Sequence, residues 1–349
     1  MKLLFYIEHF RNIGGAENLA ISVCKELKKR GYRISVVSKD GEDLEGIRIY
    51  RNFSEIKEII KKERPDVTFD WGLFERADIS RLGGSIHRIF LRYSLYSYPI
   101  LLRPVKWLYY RLSKKHQEKI RHQEYVLSKT DTLFICPSHF VKKHALEYGI
   151  PERNLRVIYN GVDLERFFPC EEKRKNSEKE RWGLKDKTVF VFVAHNLRLK
   201  NIGLLKAVFD DLYRKYPEIR LLVVGKRKPS FRRPYLMWTG FMKDIRKVYT
   251  VADVLLHPSY FDTFGSVVIE AMASGIPVLV SEFCGASEIV EDGGKVLPVV
   301  GRGVKDVWKD EIERIMDKDE RRIISENARR IAKKYDLISY VDKIEGLFK

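Results

Sequence analysis

The chain has 349 residues, 44% of them hydrophobic, and a net charge of +18. That length suits two domains with separate cores, and that apolar content excludes a disordered chain. Four cysteines without a C-x-x-C pair argue against zinc and for a reducing cytosol; the charge calls for an anionic membrane, an anionic glycolipid or nucleic acid.

The opening MKLLFYIEHF carries one lysine and a short apolar run broken by Glu8, which predicts a strand over 2–7 rather than a signal peptide. No uninterrupted apolar run reaches bilayer-spanning length. A loop over 9–18 contains Gly14 and Gly15, and an amphipathic helix follows over 19–30, stopped by Gly31 before a strand over 33–38. This strand, glycine loop, helix and strand lack G-x-G-x-x-G, so they are not a dinucleotide fingerprint, but paired glycines let the backbone approach a ligand closely. A strand over 47–52, a helix over 53–63 and a strand over 66–70 come next.

Residues 89–127 interleave tyrosines, leucines and Trp107 with Arg92, Arg103, Lys106, Arg111, Lys114 and Lys115. Aromatic rings favour a membrane–water interface and long basic side chains snorkel to anionic headgroups, so this stretch predicts peripheral membrane docking. A strand over 131–136 and a helix over 137–147 precede Asn160-Gly161-Val162-Asp163 and Arg166. Residues 170–181 are highly charged and read as a linker and an exposed helix start.

The second half opens with a continuous apolar strand over 187–194, of the kind buried on both faces. A basic loop with His195, Arg198 and Lys200 follows, then a helix over 202–215 and a strand over 220–224. Residues 226–238 are too rich in Pro and Arg for a regular helix. A helix over 243–252 and a strand over 254–258 lead into HPSYFDTFGSVVIEAMASGIPVLV, residues 257–280. This segment reads as strand, loop, helix and strand, with Gly275 as the C-terminal glycine and Pro277 just after it. The backbone N–H groups of Phe264, Gly265, Ser266 and Val267 point out of a helix N-terminus, where unpaired donors and the helix dipole favour phosphate. Asp262 stands before that tip and Glu270 about two turns beyond it; each carboxylate can accept two hydrogen bonds from a vicinal diol. Diphosphate flanked by sugars is a nucleotide-sugar. The late chain is mostly helical, over 306–332 and 337–348.

The Asp262 and Glu270 pattern, with seven residues between the acids, resembles the acid-x7-acid motif of retaining GT-B glycosyltransferases of the large family 4. The resemblance implies that Glu270 holds the nucleotide ribose and Asp262 the hydroxyls of the transferred sugar. The family usually has Glu at the first position; Asp262 is one methylene shorter, which bears on the identity of the donor sugar. The resemblance places Gly14 and Gly15 near the donor phosphates and acceptor, and Arg166 near an interdomain cleft. It places Gly240 and Phe241 beside the base, and a basic loop on the diphosphate. There Lys200 matches the family's Lys, His195 stands where Arg is common, and Arg198 lies between them. The segment with Asp78, Arg81, Gly83, Gly84 and His87 is similar to a stretch of lipopolysaccharide-core members. It implies an acceptor side formed by Asp78, Arg81 and His87, with His87 lending a hydrogen bond or proton, and the resemblance adds Arg166 to that acceptor side.

The resemblance thus implies an α/β GT-B protein, two doubly wound Rossmann-like domains facing across a cleft. The domains are expected at 1–168, with a helix at 336–349 crossing back to it, and at 169–335. The expected reaction is retaining, metal-independent and cofactor-free transfer of a hexose. Its donor is a nucleoside diphosphate sugar, UDP-hexose being favoured, and its acceptor a membrane-associated lipid-linked glycan such as a lipopolysaccharide core. Asp262, His87, Lys200 and Arg198 are the expected catalytic groups. The location follows as cytoplasmic, peripheral on the inner face of the membrane, with residues 89–127 on the anionic surface. The only D-x-D string, Asp317-Lys318-Asp319, falls among late helices and away from any strand-end loop. Two rival readings are a capsular or other lipid-carrier acceptor, and a non-catalytic basic protein binding RNA or anionic membrane. No zinc-finger spacing or RNP-like aromatic pattern favours nucleic acid.

Overall fold

Runs such as 189–192 and 221–224 are apolar at every position, and such runs form strands covered on both faces. The structure is a computed structural model that describes residues 1–11, 14–129 and 131–348. Asn12 and Ile13 of the glycine loop, and Lys349 of the last helical segment, lie outside the described residues. The chain divides into two compact units, Met1–Gly161 with Leu337–Lys349, and Val162–Asp336. The division falls after Gly161 and not after 168, so Arg166 belongs to the second unit.

The first unit holds a seven-stranded parallel sheet in the order Arg48–Tyr50, Arg33–Val37, Lys2–Tyr6, Val67–Asp70, Ile79–Arg81, Leu133–Cys136, Leu155–Val157. The order reverses between Lys2–Tyr6 and Val67–Asp70. Helix Gly15–Lys29 packs Leu19, Val23 and Leu27 into a core with Leu3, Phe5 and Phe69. The final helix, Leu337–Glu345, adds Tyr340, Val341 and Ile344 to that core. Arg30 fastens it from outside, 2.6 Å from Asp342 and 2.5 Å from Glu345, and Tyr32 donates to Glu345 at 2.7 Å. The last helix therefore returns to the first unit.

The second unit has a six-stranded parallel sheet in the order Leu236–Gly240, Ile219–Val224, Thr188–Val193, Val254–His257, Val278–Ser281, Gly294–Leu297. Its order reverses between Thr188–Val193 and Val254–His257. Both sheets are therefore doubly wound, as the alternating strand and helix pattern demands.

Three segments fill out the sequence reading. Residues 170–181 carry the expected exposed helix, Glu172–Arg181, without a buried residue, but little linker. It is held by charge, with Lys175 at 2.8 Å and Lys179 at 2.6 Å from the buried Asp253. Burial would raise the Asp253 carboxyl, but the two lysines outweigh it and hold it below its ordinary range. Residues 226–238 form no helix, as expected, and lead into the edge strand Leu236–Gly240. Residues 89–127 are three helices, His87–Ser94, Arg103–Leu112 and Lys114–Leu127, of unequal burial. The outer two bury one face each, whereas Arg103–Leu112 buries no residue. Among the described residues no helix is long and apolar enough to cross a membrane. Asp317 caps helix Lys318–Ala332 by accepting the Glu320 N–H at 2.8 Å, which gives the D-x-D string a structural role.

Candidate active site

Ligands of open parallel sheets settle at the carboxyl ends of strands where the order reverses. In the second unit those ends belong to Thr188–Val193, followed by the 195–200 loop, and to Val254–His257, followed by the 258–265 loop. The two loops are joined by the Tyr260 N–H on the Leu199 carbonyl, 2.9 Å. Asp262 sits at this junction. Its backbone is pinned by the Phe283 carbonyl at 3.0 Å and the Gly285 N–H at 3.0 Å.

The Asp262 carboxylate is shared. Oδ2 accepts from the Lys200 ammonium and lies 3.1 Å from His257 Nε2; Oδ1 accepts the Phe264 N–H at 3.3 Å. Lys200 and Asp262 are each mostly buried. Burial alone would raise this carboxyl, but Lys200 and then His257 pull it well below the ordinary carboxylate range. His257, 1% exposed, is pushed the other way: burial, then the Lys200 charge, lower its basicity, so the ring stays neutral. The sequence assigns Lys200 to phosphate and Asp262 to sugar; the fold makes them a pair.

The turn into helix Ser266–Ala273 depends on Gly265, at φ +85° with no capping side chain. A Cβ there would meet Cys284 Sγ at 2.8 Å, and both Asp262 Oδ2 and His257 Nε2 at 3.4 Å. Glycine is thus required by backbone conformation and by space. The Phe264 N–H, expected to point outward with those of Gly265, Ser266 and Val267, is instead turned onto Asp262. His257, Asp262 and Cys284 present ligand atoms within 4.8 Å of one another. The Lys200 ammonium already holds the shared carboxylate oxygen, and Cys284 Sγ donates to the Phe264 carbonyl at 2.9 Å. The cluster is closed by the protein's own cation.

Glu270 lies one turn deeper. Tyr249 donates to its Oε2 at 3.1 Å, and burial pushes its carboxyl up to about 7, opposed by Tyr249 and the charge of Arg166. The charge of Arg166 therefore acts on Glu270. Along the sheet, Gly240 turns the chain at φ +77°, and Phe241 stands 40% exposed. The Phe241 ring is 6.4 Å from the exposed His195 and has Lys226 over it at 5.3 Å. Arg198 is exposed on the same loop. The fold thus assembles Lys200, Asp262, Gly265, Glu270 and Arg166, and separately His195, Gly240 and Phe241. The fold adds His257, Tyr249 and Cys284; His257 and Cys284 look like core residues in the sequence, since each lies at the end of an apolar strand or just beyond it.

The first unit treats its expected residues differently. Gly14 caps helix Gly15–Lys29 in an extended conformation at the carboxyl edge of the sheet. Asp78 is at the opposite edge: it precedes Ile79–Arg81 and accepts from Thr68 N at 2.9 Å and Thr68 Oγ1 at 2.7 Å. It braces the start of a strand and does not belong with an acceptor at the binding edge. His87 is buried, with Nε2 2.9 Å from His116 Nδ1 and its ring stacked on Phe90. Burial, then neighbouring charges, lower it to about 4, so it packs helices and offers no proton near neutrality. Arg81 is buried over the Trp71 ring and donates to Asn160 Oδ1 at 2.7 Å. A Cβ on Gly83 would lie 1.8 Å from its guanidinium. Asp70, unremarked in the sequence, ends the switch strand; burial lifts it to about 7 although Gly72 and Phe74 N–H groups bind it at 3.0 and 2.7 Å.

Residues 13–166 match the sequence model of "Glycosyltransferase Family 4", and residues 174–331 that of "Glycosyl transferases group 1". Among curated proteins, D-inositol 3-phosphate glycosyltransferase of Corynebacterium kroppenstedtii is 25% identical over 248 residues, 65% of this chain and 55% of that protein. The chain thus matches about half the length of that relative. Among solved structures, WaaG, "a glycosyltransferase involved in lipopolysaccharide biosynthesis", superposes with a TM-score of 0.82 at 17% identity, covering 99% of both chains. Anabaena Alr3699/HepE in complex with UDP and glucose gives 0.75 at 18% identity, covering 99% of this chain and 98% of that one. The fold is GT-B.

Proposed function

From a chain that belongs to the GT-B glycosyltransferases, with a family 4 domain followed by a group 1 domain, we propose a retaining hexosyl transfer from a nucleoside diphosphate sugar to a lipid-linked glycan. One observation carries the reading: an ionised Asp262, shared by Lys200 and His257, stands directly before a helix tip that Gly265 leaves without a side-chain cap. Lys200 and the first-turn amides of 265–267 would receive the departing diphosphate. Asp262 Oδ1 would accept from a hydroxyl of the transferred sugar, and Glu270 from the ribose diol. Phe241, with His195 and Lys226 about it, would flank the base. Positive charge developing at the anomeric carbon is then met by the acceptor hydroxyl on the face the diphosphate leaves. The step asks for no metal, because cationic side chains and backbone amides neutralise the leaving group. UDP-hexose is the favoured donor, in keeping with the UDP bound by HepE.

The acceptor is read from the first unit's surface. Ile100 is 72%, Leu101 86% and Leu112 73% exposed, around a helix with no buried residue. Nine Arg or Lys stand against two acids between His87 and Leu127. Lys106 lies over Tyr98 and Tyr109 at 5.0 and 4.7 Å, and Arg111 over Trp107 at 4.8 Å. Exposed apolar side chains ringed by aromatics and cations suit the interface of an anionic membrane. A groove of about 1000 Å³ lined by Arg88, Arg92, Leu95, Trp107 and Arg111 runs beside the helix. The protein would work peripherally on the cytoplasmic face of the membrane, on a phosphate-bearing glycolipid of the lipopolysaccharide-core kind. Incubation with UDP-, GDP- and ADP-hexoses, read by mass spectrometry, tests the donor. Flotation with phosphatidylglycerol vesicles tests the surface. Saturable donor binding with slow hydrolysis is expected; salt-sensitive RNA binding without it would favour the non-catalytic reading.

A further inference from the structure

We infer that His257 is a positioning residue for Asp262, an inference that rests on reading Asp262 as the carboxylate facing the donor sugar. His257 ends strand Val254–His257 and is 1% exposed, so no substrate reaches it. Its Nε2 is 3.1 Å from Asp262 Oδ2, while its Nδ1 is buried with no hydrogen-bond partner. Oδ2 belongs to an ionised carboxylate and can only accept, so the ring carries its hydrogen on Nε2 and leaves a bare lone pair on Nδ1. A buried polar atom without a partner opposes folding. A leucine at 257 would avoid that cost inside this apolar sheet. The return is a rigid donor aimed at one carboxylate oxygen.

Lys200 alone cannot fix that oxygen, because its ammonium rides on a flexible four-carbon stem. The imidazole is anchored in the strand and roofed by Gly265, whose Cβ position lies 3.4 Å from both Nε2 and Oδ2. With Lys200 and His257 both on Oδ2, the carboxylate turns Oδ1 toward the Phe264 N–H and the helix tip. The oxygen offered to the sugar is therefore selected by a residue that never touches it. A side chain as short as Asp262, with one torsion fewer than a glutamate, keeps that orientation once the bond is made.

The test exploits isosteres: a glutamine amide reaches where Nε2 was, an asparagine amide where Nδ1 was. Donor hydrolysis is measured on the full chain with UDP-glucose, UDP-galactose, GDP-mannose and ADP-glucose, alongside UDP affinity by calorimetry. His257→Gln should stay within about threefold of wild type, while His257→Asn and His257→Leu fall about 10- to 100-fold in kcat, with UDP affinity unchanged. Long-range 1H–15N spectra of histidine-labelled protein should show a neutral Nε2–H ring at 257, shifted by Asp262→Asn. That readout decides the matter even if all four donors are refused. A ring protonated on Nδ1, or equal rates for the Gln and Leu variants, would overturn the inference. If Asp262→Ala abolishes hydrolysis and His257→Leu does not, only the role of His257 falls. If Asp262→Ala leaves hydrolysis intact, the reading of the donor site falls first.

Discussion

The two sheets reverse their strand order in the same way, yet the chemistry at the two reversals is opposite. In the second unit the polar groups converge on one carboxylate beside a helix whose N-cap, Gly265, brings no side chain. In the first unit the expected polar groups turn to the chain itself: Asp70 to its own loop, Arg81 to Asn160, His87 to His116. One reversal gathers charged groups on a single carboxylate, and the other ties its expected groups to the chain. Strand order places a possible site in both units, and the clustering of charged groups at one loop end separates them.

Breaking the second unit should cost function before stability. Asp262→Ala is expected to lower donor turnover by about 10²–10³-fold, measured as donor hydrolysis with a stable fold by calorimetry. Glu270→Ala should weaken UDP binding by about 10- to 100-fold, the worth of hydrogen bonds to an ionised acid, and leave vesicle flotation unchanged. Gly265→Ala should cost about 1–3 kcal/mol from left-handed backbone strain, read as a lowered denaturation midpoint, as well as damaging turnover.

The pH dependence of Glu270 sharpens the contrast. Its folded value, raised to about 7 by burial, exceeds the ordinary 4.5 of a free glutamate. The sign is that of a group favouring protonation when folded. The stability it contributes is complete below about 4.5 and is lost as pH rises through 7. Glu270→Gln should therefore stabilise the unliganded protein at pH 8, by about 1–3 kcal/mol. Donor binding runs the other way, since only the ionised acid accepts from both ribose hydroxyls: UDP affinity should fall from pH 8 to pH 6 in wild type and stay flat in Glu270→Gln.

On the first unit, Asp70→Ala should cost about 1–3 kcal/mol by orphaning loop N–H groups, with UDP affinity unchanged. The smallest effect on folding is expected for Leu101→Glu with Leu112→Glu: vesicle binding is lost, while stability moves by less than about 0.5 kcal/mol because both side chains are exposed. If those two changes unfold the protein, the helix Arg103–Leu112 is packed and not presented.

The same contrast explains what the sequence could show. The proposed donor motif is local: Asp262, Gly265 and Glu270 fall in one strand–loop–helix unit, so their spacing can be set beside a family pattern directly. Buried parallel strands are equally plain, because their apolar runs have no polar face. The bracing of the first unit is not local. His87 meets a histidine 29 residues on, and Arg81 an asparagine 79 residues on. Asp78 misleads because the three-residue strand Ile79–Arg81 begins just after it, which puts it at the amino edge of the sheet. Lys175 and Lys179 look like a solvated charge run until Asp253 is seen between them. Pairings between distant charged residues leave no periodicity to read.

The most direct measurement is amide hydrogen exchange with and without saturating UDP. The account predicts that protection concentrates on the peptide covering 263–273, with that gain much reduced in Glu270→Ala. Protection confined to the 14–29 or 79–94 segments, with none at 263–273, would contradict it.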